Sequence, residues 1–231
     1  MKEKLIAWGV QAYTALGLVT GILALRTFLH ADVRGAFLWL AISTLIDGTD
    51  GPLARRFRTP QILPGFNGRK LDDIVDYVNY VFIPVLILVR TDLLPAGKWA
   101  WAMAPLLASA YGFCQEKAKT DDGYFTGFPS YWNIVVLYLY LFGMPAGFNL
   151  LIVLALSLLA FIPIKFIDPF KTKPLAWLTR PLTVAWAASI LALILLMPNV
   201  NPLLLYGSFL YPCYYFIASF WINARIRSTT D

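Results

Sequence analysis

Runs of about 20 mostly apolar residues recur from one end of this chain to the other, and that pattern leaves few folds open. Within hydrocarbon only a helix or a closed barrel satisfies its own backbone, and a helix needs roughly 20 apolar residues to cross. The sequence predicts eight such spans, over 9–29, 34–54, 71–90, 98–116, 131–147, 149–167, 180–197 and 203–223. Breakers fall between them: Pro95 and Gly97, Gly143 and Pro145, Pro198 and Pro202. The expected fold class is therefore all-α, a polytopic membrane protein with residues 1–231 as a single integral-membrane domain. Composition agrees: 14% of the residues are charged, where a soluble domain carries about 25%.

The basic residues orient the spans. Fifteen of the 19 Lys and Arg residues, from Lys2 to Arg227, fall on one side of the predicted membrane. Arg26, Arg34, Arg90 and Lys98 fall on the other. Cytoplasmic loops carry the excess of positive charge, which puts both termini in the cytoplasm. The net charge of +6 is mostly juxtamembrane, where it faces anionic lipid head groups rather than nucleic acid. Lys165 and Arg180 read as interfacial side chains that snorkel. Cys114 and Cys213 sit in apolar segments with no disulfide framework around them, and the lone His30 makes no metal site.

Ionisable groups inside spans are expensive and mark function by default. Here they cluster. Asp47 and Asp50 lie at the cytoplasmic end of span two; Asp72 and Asp76 open span three. Spacings of three and four place each pair on one helix face. The two helices are antiparallel neighbours, so both pairs can face one cavity. Four close carboxylates need compensating charge, and two divalent cations supply it. Oxygen-only ligands select hard ions, Mg²⁺ or Mn²⁺, and two-metal sites suit in-line phosphoryl displacement. Gly51, Ala54 and Gly68 keep the nearby helix faces low, and Arg55 is placed to pair with a pyrophosphate oxygen. Pro52 is expected to bend span two. Asp73 points away from the pair and reads as solvated or as a supporting residue.

From Asp47 to Asp76 the chain reads D-G-T-D-G-P-L-A-R, twelve residues, then G-R-K-L-D-D-I-V-D. This resembles the signature of the CDP-alcohol phosphatidyltransferases, D-x-x-D-G-x-x-A-R followed by G-x-x-x-D-x-x-x-D. The resemblance implies that Asp47, Asp50, Asp72 and Asp76 bind two divalent cations and that Asp76 is also the general base. It implies that Gly51, Ala54, Arg55 and Gly68 hold the CDP group, with Thr14 a further candidate for the nucleotide. The spacer is longer than the family's commonest form, and there are more spans than in the common family core. Both features, with the segment F-T-G-F-P-S-Y-W-N from Phe125 to Asn133, are similar to the bacterial branch that condenses CDP-diacylglycerol directly with choline. The implied partners are CDP-diacylglycerol, choline, membrane lipids and a second copy of the chain. The implied location is the bacterial inner membrane, with the active site on the cytoplasmic side.

A quaternary ammonium is best held by aromatic faces and a carboxylate. Tyr80, Glu116, Tyr131, Trp132 and Asn133 are the candidates, although Tyr and Trp also line membrane interfaces as a matter of course. Serine, inositol or glycerol phosphate as acceptor would leave the chemistry unchanged. A divalent-cation or proton transporter would place its acids near the bilayer midplane and in repeated halves; this cluster lies at one edge, and no repeat is visible.

Overall fold

The computed structural model describes residues 1–116, 118–120 and 122–228, without the side chains of 226–228. Lys117 and the side chain of Arg227, both in the charge tally above, lie outside what is described. Helices α1 (Lys2–Leu29), α2 (Val33–Arg56), α3 (Thr59–Ile62) and α4 (Gly68–Asp76) come first. A π-helical turn, Tyr77–Phe82, joins α4 to α5 (Ile83–Arg90). Then follow α6 (Lys98–Cys114), α7 (Trp132–Phe142), α8 (Ala146–Leu159), α9 (Ala176–Leu196) and α10 (Pro202–Ser228).

Local sequence sets many of the boundaries. The Asp32 carboxylate accepts the Gly35 N–H at 2.7 Å and caps α2. Asn67 does the same for α4, accepting from Lys70 at 3.1 Å. Each cap satisfies one of the donors that a helix start leaves open. Gly143, at φ 58°, ends α7 in the left-handed conformation that glycine adopts without strain. Pro52 does not interrupt α2, which continues to Arg56.

Among the described residues, three helices are long and apolar enough to cross a bilayer: Lys2–Leu29, Ala176–Leu196 and Pro202–Arg225. Helices α7 and α8 are apolar but shorter, at 11 and 14 residues. At 1.5 Å per residue they fall short of a hydrocarbon core about 30 Å thick. Bulky apolar side chains project outward along the rods, Ile22, Leu107, Leu151, Leu158, Val184 and Leu210 each more than half exposed. Such a surface suits lipid rather than water, and the chain is a membrane protein.

The structure departs from an all-α expectation in one place. The sixth apolar run does not stay helical to 167: α8 stops at Leu159, and Lys165–Ile167 forms a strand, β2. It pairs antiparallel with β1 (Tyr124–Thr126), in the register Tyr124↔Ile167, Phe125↔Phe166, Thr126↔Lys165. Phe166 and Ile167 are buried against Tyr215, Ala218 and Ile222 of α10. Asn223 clamps the ribbon, accepting from the Lys165 N–H at 3.0 Å and donating to its carbonyl at 2.7 Å. The Lys165 ammonium donates to Asp122 at 2.6 Å and lies over the Tyr124 ring. That hydrogen bond holds the Asp122 carboxyl below its ordinary range.

The main core lies between α2, the α4–π–α5 rod and α7, with Phe37, Val81, Ile87, Leu88, Trp132 and Val136 almost fully buried. Against α1 the rod comes closer still. Asn79 donates to the Gly17 carbonyl at 3.0 Å and to the Val75 carbonyl at 2.9 Å. A Cβ on Gly17 would run into Val75 Cγ1. Bare backbone on α1 is thus what lets the acid-bearing helix dock.

Candidate active site

Helices α2 and α4 bring their carboxylates together. One oxygen each from Asp47, Asp50 and Asp72 lies within 4.8 Å of the other two. Asp50 is 5% exposed, while Asp47 and Asp72 are half-buried. Asp76 is not one of the three, although it is buried on the same rod and feels the charges of Asp47, Asp72 and Asp50. The spacing explains the arrangement. Positions 47 and 50 share a face of α2, and Asp72 faces them from the first turns of α4. Asp76, one turn on, lies deeper.

The donor set fits a metal ion. Three carboxylate oxygens at this separation can share one hard cation, and no Cys or His stands with them among the described residues. The surroundings supply little positive charge to replace it. Lys119, bridged to Phe125 beside the ribbon, acts on all four carboxylates, but it is exposed.

The small residues and the arginine frame the opening. The Arg55 guanidinium folds back over Gly51, 3.4 Å from where a Cβ would stand. Arg55 is otherwise exposed and makes no ion pair among the described residues. Gly68 lies against Gln11 of α1, whose side-chain nitrogen and oxygen would each be 2.8 Å from a Cβ there. Ala54 is half-buried, and its carbonyl accepts from Thr59 at 3.4 Å. Thr14 is buried beside the Asp50 carboxylate. Asp73 is half-buried, outside the group of three.

The aromatic candidates separate. Tyr80 donates its hydroxyl to Asp47 Oδ2 at 2.7 Å. Its ring meets Tyr131 edge-on, centroids 6.4 Å apart, and Tyr131 meets Phe125 at 6.2 Å. Tyr131 therefore joins the carboxylate group to the ribbon. Asn133 is buried, with its amide nitrogen 3.5 Å from Thr44 Oγ1 and its side-chain oxygen unpartnered. Trp132 is fully buried; its indole N–H donates to Ser109 at 2.8 Å and its ring packs on Phe128. That is the environment of a core residue. Glu116 is exposed in the turn after α6.

Sequence reasoning missed Asp168, Lys119, Gln11 and Thr44. Asp168 is 8% exposed directly after β2. Its carboxylate accepts from the Phe170 and Lys171 N–H groups at 3.0 and 3.1 Å, and its charge reaches Asp47 and Tyr131. An acid flanking an apolar run was its only trace in the sequence. Thr44 had a better signal, one turn before Asp47 on the same face.

Comparison with known proteins settles the kinship. The chain is 36% identical to phosphatidylcholine synthase of Pseudomonas aeruginosa over 224 residues, covering 96% of this chain and 94% of that protein. It is 38% identical to phosphatidylcholine synthase of Borreliella burgdorferi over 181 residues, 78% of this chain and 77% of that one. For phosphatidylcholine synthase of Legionella pneumophila the figure is 34% over 229 residues, 96% and 90%. The chain belongs to the phosphatidylcholine synthase family. No family model matches it. The bacterial membership and the apolar helices make this a bacterial membrane enzyme, and the phosphatidylcholine synthases now give the carboxylate group its context.

Proposed function

We propose that the protein transfers the phosphatidyl group of CDP-diacylglycerol to choline, giving phosphatidylcholine and CMP. The observation that carries this reading is the group of three carboxylates, Asp47, Asp50 and Asp72, within 4.8 Å in a member of this family. Two divalent cations, Mg²⁺ or Mn²⁺, would screen the pyrophosphate and take up charge on the departing CMP. Asp47, Asp50, Asp72 and Asp76 would hold them. Asp76 accepts the choline hydroxyl proton. The choline oxygen then bonds to the lipid-side phosphorus as the bond to CMP breaks on the opposite face. Arg55, over Gly51, pairs with a phosphate oxygen, and the bare faces at Gly51, Ala54 and Gly68 admit the nucleotide beside Thr14.

Choline keeps a fixed positive charge, which aromatic rings attract in a dry site. Tyr131 and Tyr80 are the rings nearest the carboxylates, and the unpartnered oxygen of Asn133 is the nearby polar group. Trp132, buried in the core, and Glu116, exposed after α6, are left out of this arrangement. The eight-span topology with both termini cytoplasmic belongs to the same proposal. So do an active site at the cytoplasmic face of the inner membrane and a homodimeric assembly.

Purified protein given CDP-diacylglycerol, Mn²⁺ and equal concentrations of choline, serine, inositol or glycerol 3-phosphate tests the reading. CMP release with phosphatidylcholine as the fastest product is expected. Faster formation of phosphatidylserine or a phosphatidylglycerol phosphate would overturn the choice of acceptor. No CMP release with any acceptor would overturn the reaction.

A further inference from the structure

Tyr80 lies in the π-helical turn Tyr77–Phe82, immediately after the last signature carboxylate. A π turn takes an extra residue, so it re-aims the side chains that follow; such turns concentrate at functional sites. Within this turn two neighbours reach two different helices. Asn79 binds the α1 backbone at Gly17, and Tyr80 reaches Asp47 on α2. Tyr80 is 7% exposed, and its ring meets Tyr131 by an edge rather than lying open to a ligand. Thr44, three residues before Asp47, stands beside the same phenol and anchors itself on the Leu40 carbonyl at 3.0 Å.

A phenol O–H donating at 2.7 Å to a carboxylate is a charge-assisted bond. It fixes the plane of the Asp47 carboxylate, occupies Oδ2 on one side, and leaves Oδ1 directed by that choice. We infer that Tyr80 is a positioning residue that sets the Asp47 carboxylate for metal binding through its hydroxyl. The inference rests on the proposal that Asp47 ligates a divalent cation, and it gives Tyr80 a different duty from a face of a choline cage. Partners that orient ligating groups are worth about 10–100-fold in metal affinity or activity when removed.

The test is Mn²⁺ binding to detergent-purified protein, read from the loss of the free-ion paramagnetic resonance signal. Tyr80→Phe keeps the ring and removes the hydroxyl; its Mn²⁺ Kd is expected to rise about 10–100-fold. Its kcat is expected to recover as Mn²⁺ is raised, with the choline KM little changed at saturating metal. Tyr131→Phe, which keeps the ring that meets Tyr80 edge-on, is expected to bind Mn²⁺ as the unmodified protein does. An unchanged Kd in Tyr80→Phe, or a rise confined to the choline KM, would overturn the inference. If the unmodified protein takes up no Mn²⁺, the metal proposal falls and this one with it. Should Tyr80→Phe not fold, 3-fluorotyrosine at position 80 preserves the contact. Its fluorine resonance is expected to move on Mg²⁺ titration, and a resonance indifferent to Mg²⁺ would refute the role.

Discussion

Asp50→Asn separates the destabilising and functional sides of the carboxylate group. Three unit charges with oxygens within 4.8 Å of one another repel in the absence of metal. At an effective dielectric constant of about 20, each pair at that distance costs about 3.5 kcal/mol. Asp50 takes part in two pairs, so neutralising it relieves about 7 kcal/mol when all three are fully ionised. Asparagine preserves shape and hydrogen bonding beside Thr14. If a third of that figure is realised, about 2 kcal/mol, melting rises by about 4–8 °C at about 2–4 °C per kcal/mol. The assay is thermal unfolding in detergent with and without Mn²⁺. Metal-free Asp50→Asn is expected to melt several degrees above the metal-free unmodified protein. Adding Mn²⁺ is expected to raise the melting temperature of the unmodified protein and to leave that of Asp50→Asn unchanged, because the variant has lost one of the three grouped carboxylates. Metal-free melting that is unchanged or lower, together with an intact Mn²⁺ shift, would show that these oxygens neither repel nor ligate as argued.

Asp76→Asn is expected to bind CDP-diacylglycerol and to lose about 10²–10⁴-fold in turnover, the usual contribution of a general base; single-turnover CMP release checks it. Gly17→Ala is expected to destabilise the protein by about 1–3 kcal/mol, the usual cost of overpacking, because the new Cβ meets Val75 Cγ1. Its melting temperature reads this directly, and an unchanged value would show that α1 and α4 separate at no cost. The Asp122–Lys165 pair predicts an acid limb of stability. The Asp122 carboxyl is held below its ordinary range by the Lys165 hydrogen bond, so the pair stabilises above the ordinary carboxylate pKa. The contribution is lost as pH falls through the depressed folded-state value. Lys165→Met is expected to flatten that limb, measured as melting temperature between pH 5 and pH 2, while leaving activity assays out of the readout.

How much of the site was legible depends on which contacts are local. Asp47 with Asp50 can be read from a string of letters, because a helix places positions three apart on one face whatever surrounds it. That Asp72 meets them also followed, since a short connection brings consecutive helices back antiparallel. The family signature then named the same residues. The hydrogen bond from Tyr80 to Asp47 was not legible. It depends on a π turn from which Asn79 reaches Gly17 of α1 and Tyr80 reaches Asp47 of α2. Trp132 next to Tyr131 looked like one more interfacial aromatic, yet α7 turns the indole to Ser109 of α6 and the phenol ring to Tyr80 and Phe125.

The ribbon shows the same division. Hydropathy ran on past Leu159 and suggested helix, because apolar residues alone do not distinguish a buried strand from a span. Lys165–Ile167 became a strand because β1 supplied the backbone partners and α10 the apolar floor, and neither is nearby in sequence. What the sequence determined by itself was therefore the membrane setting, the helical periodicity and the identity of the carboxylates, all properties of segments within a few turns of each other. Tertiary structure decided which carboxylates group, which aromatics face them and where the helix gives way to strand. Those outcomes depend on contacts between residues tens of positions apart, whose geometry is set only once the helices have packed.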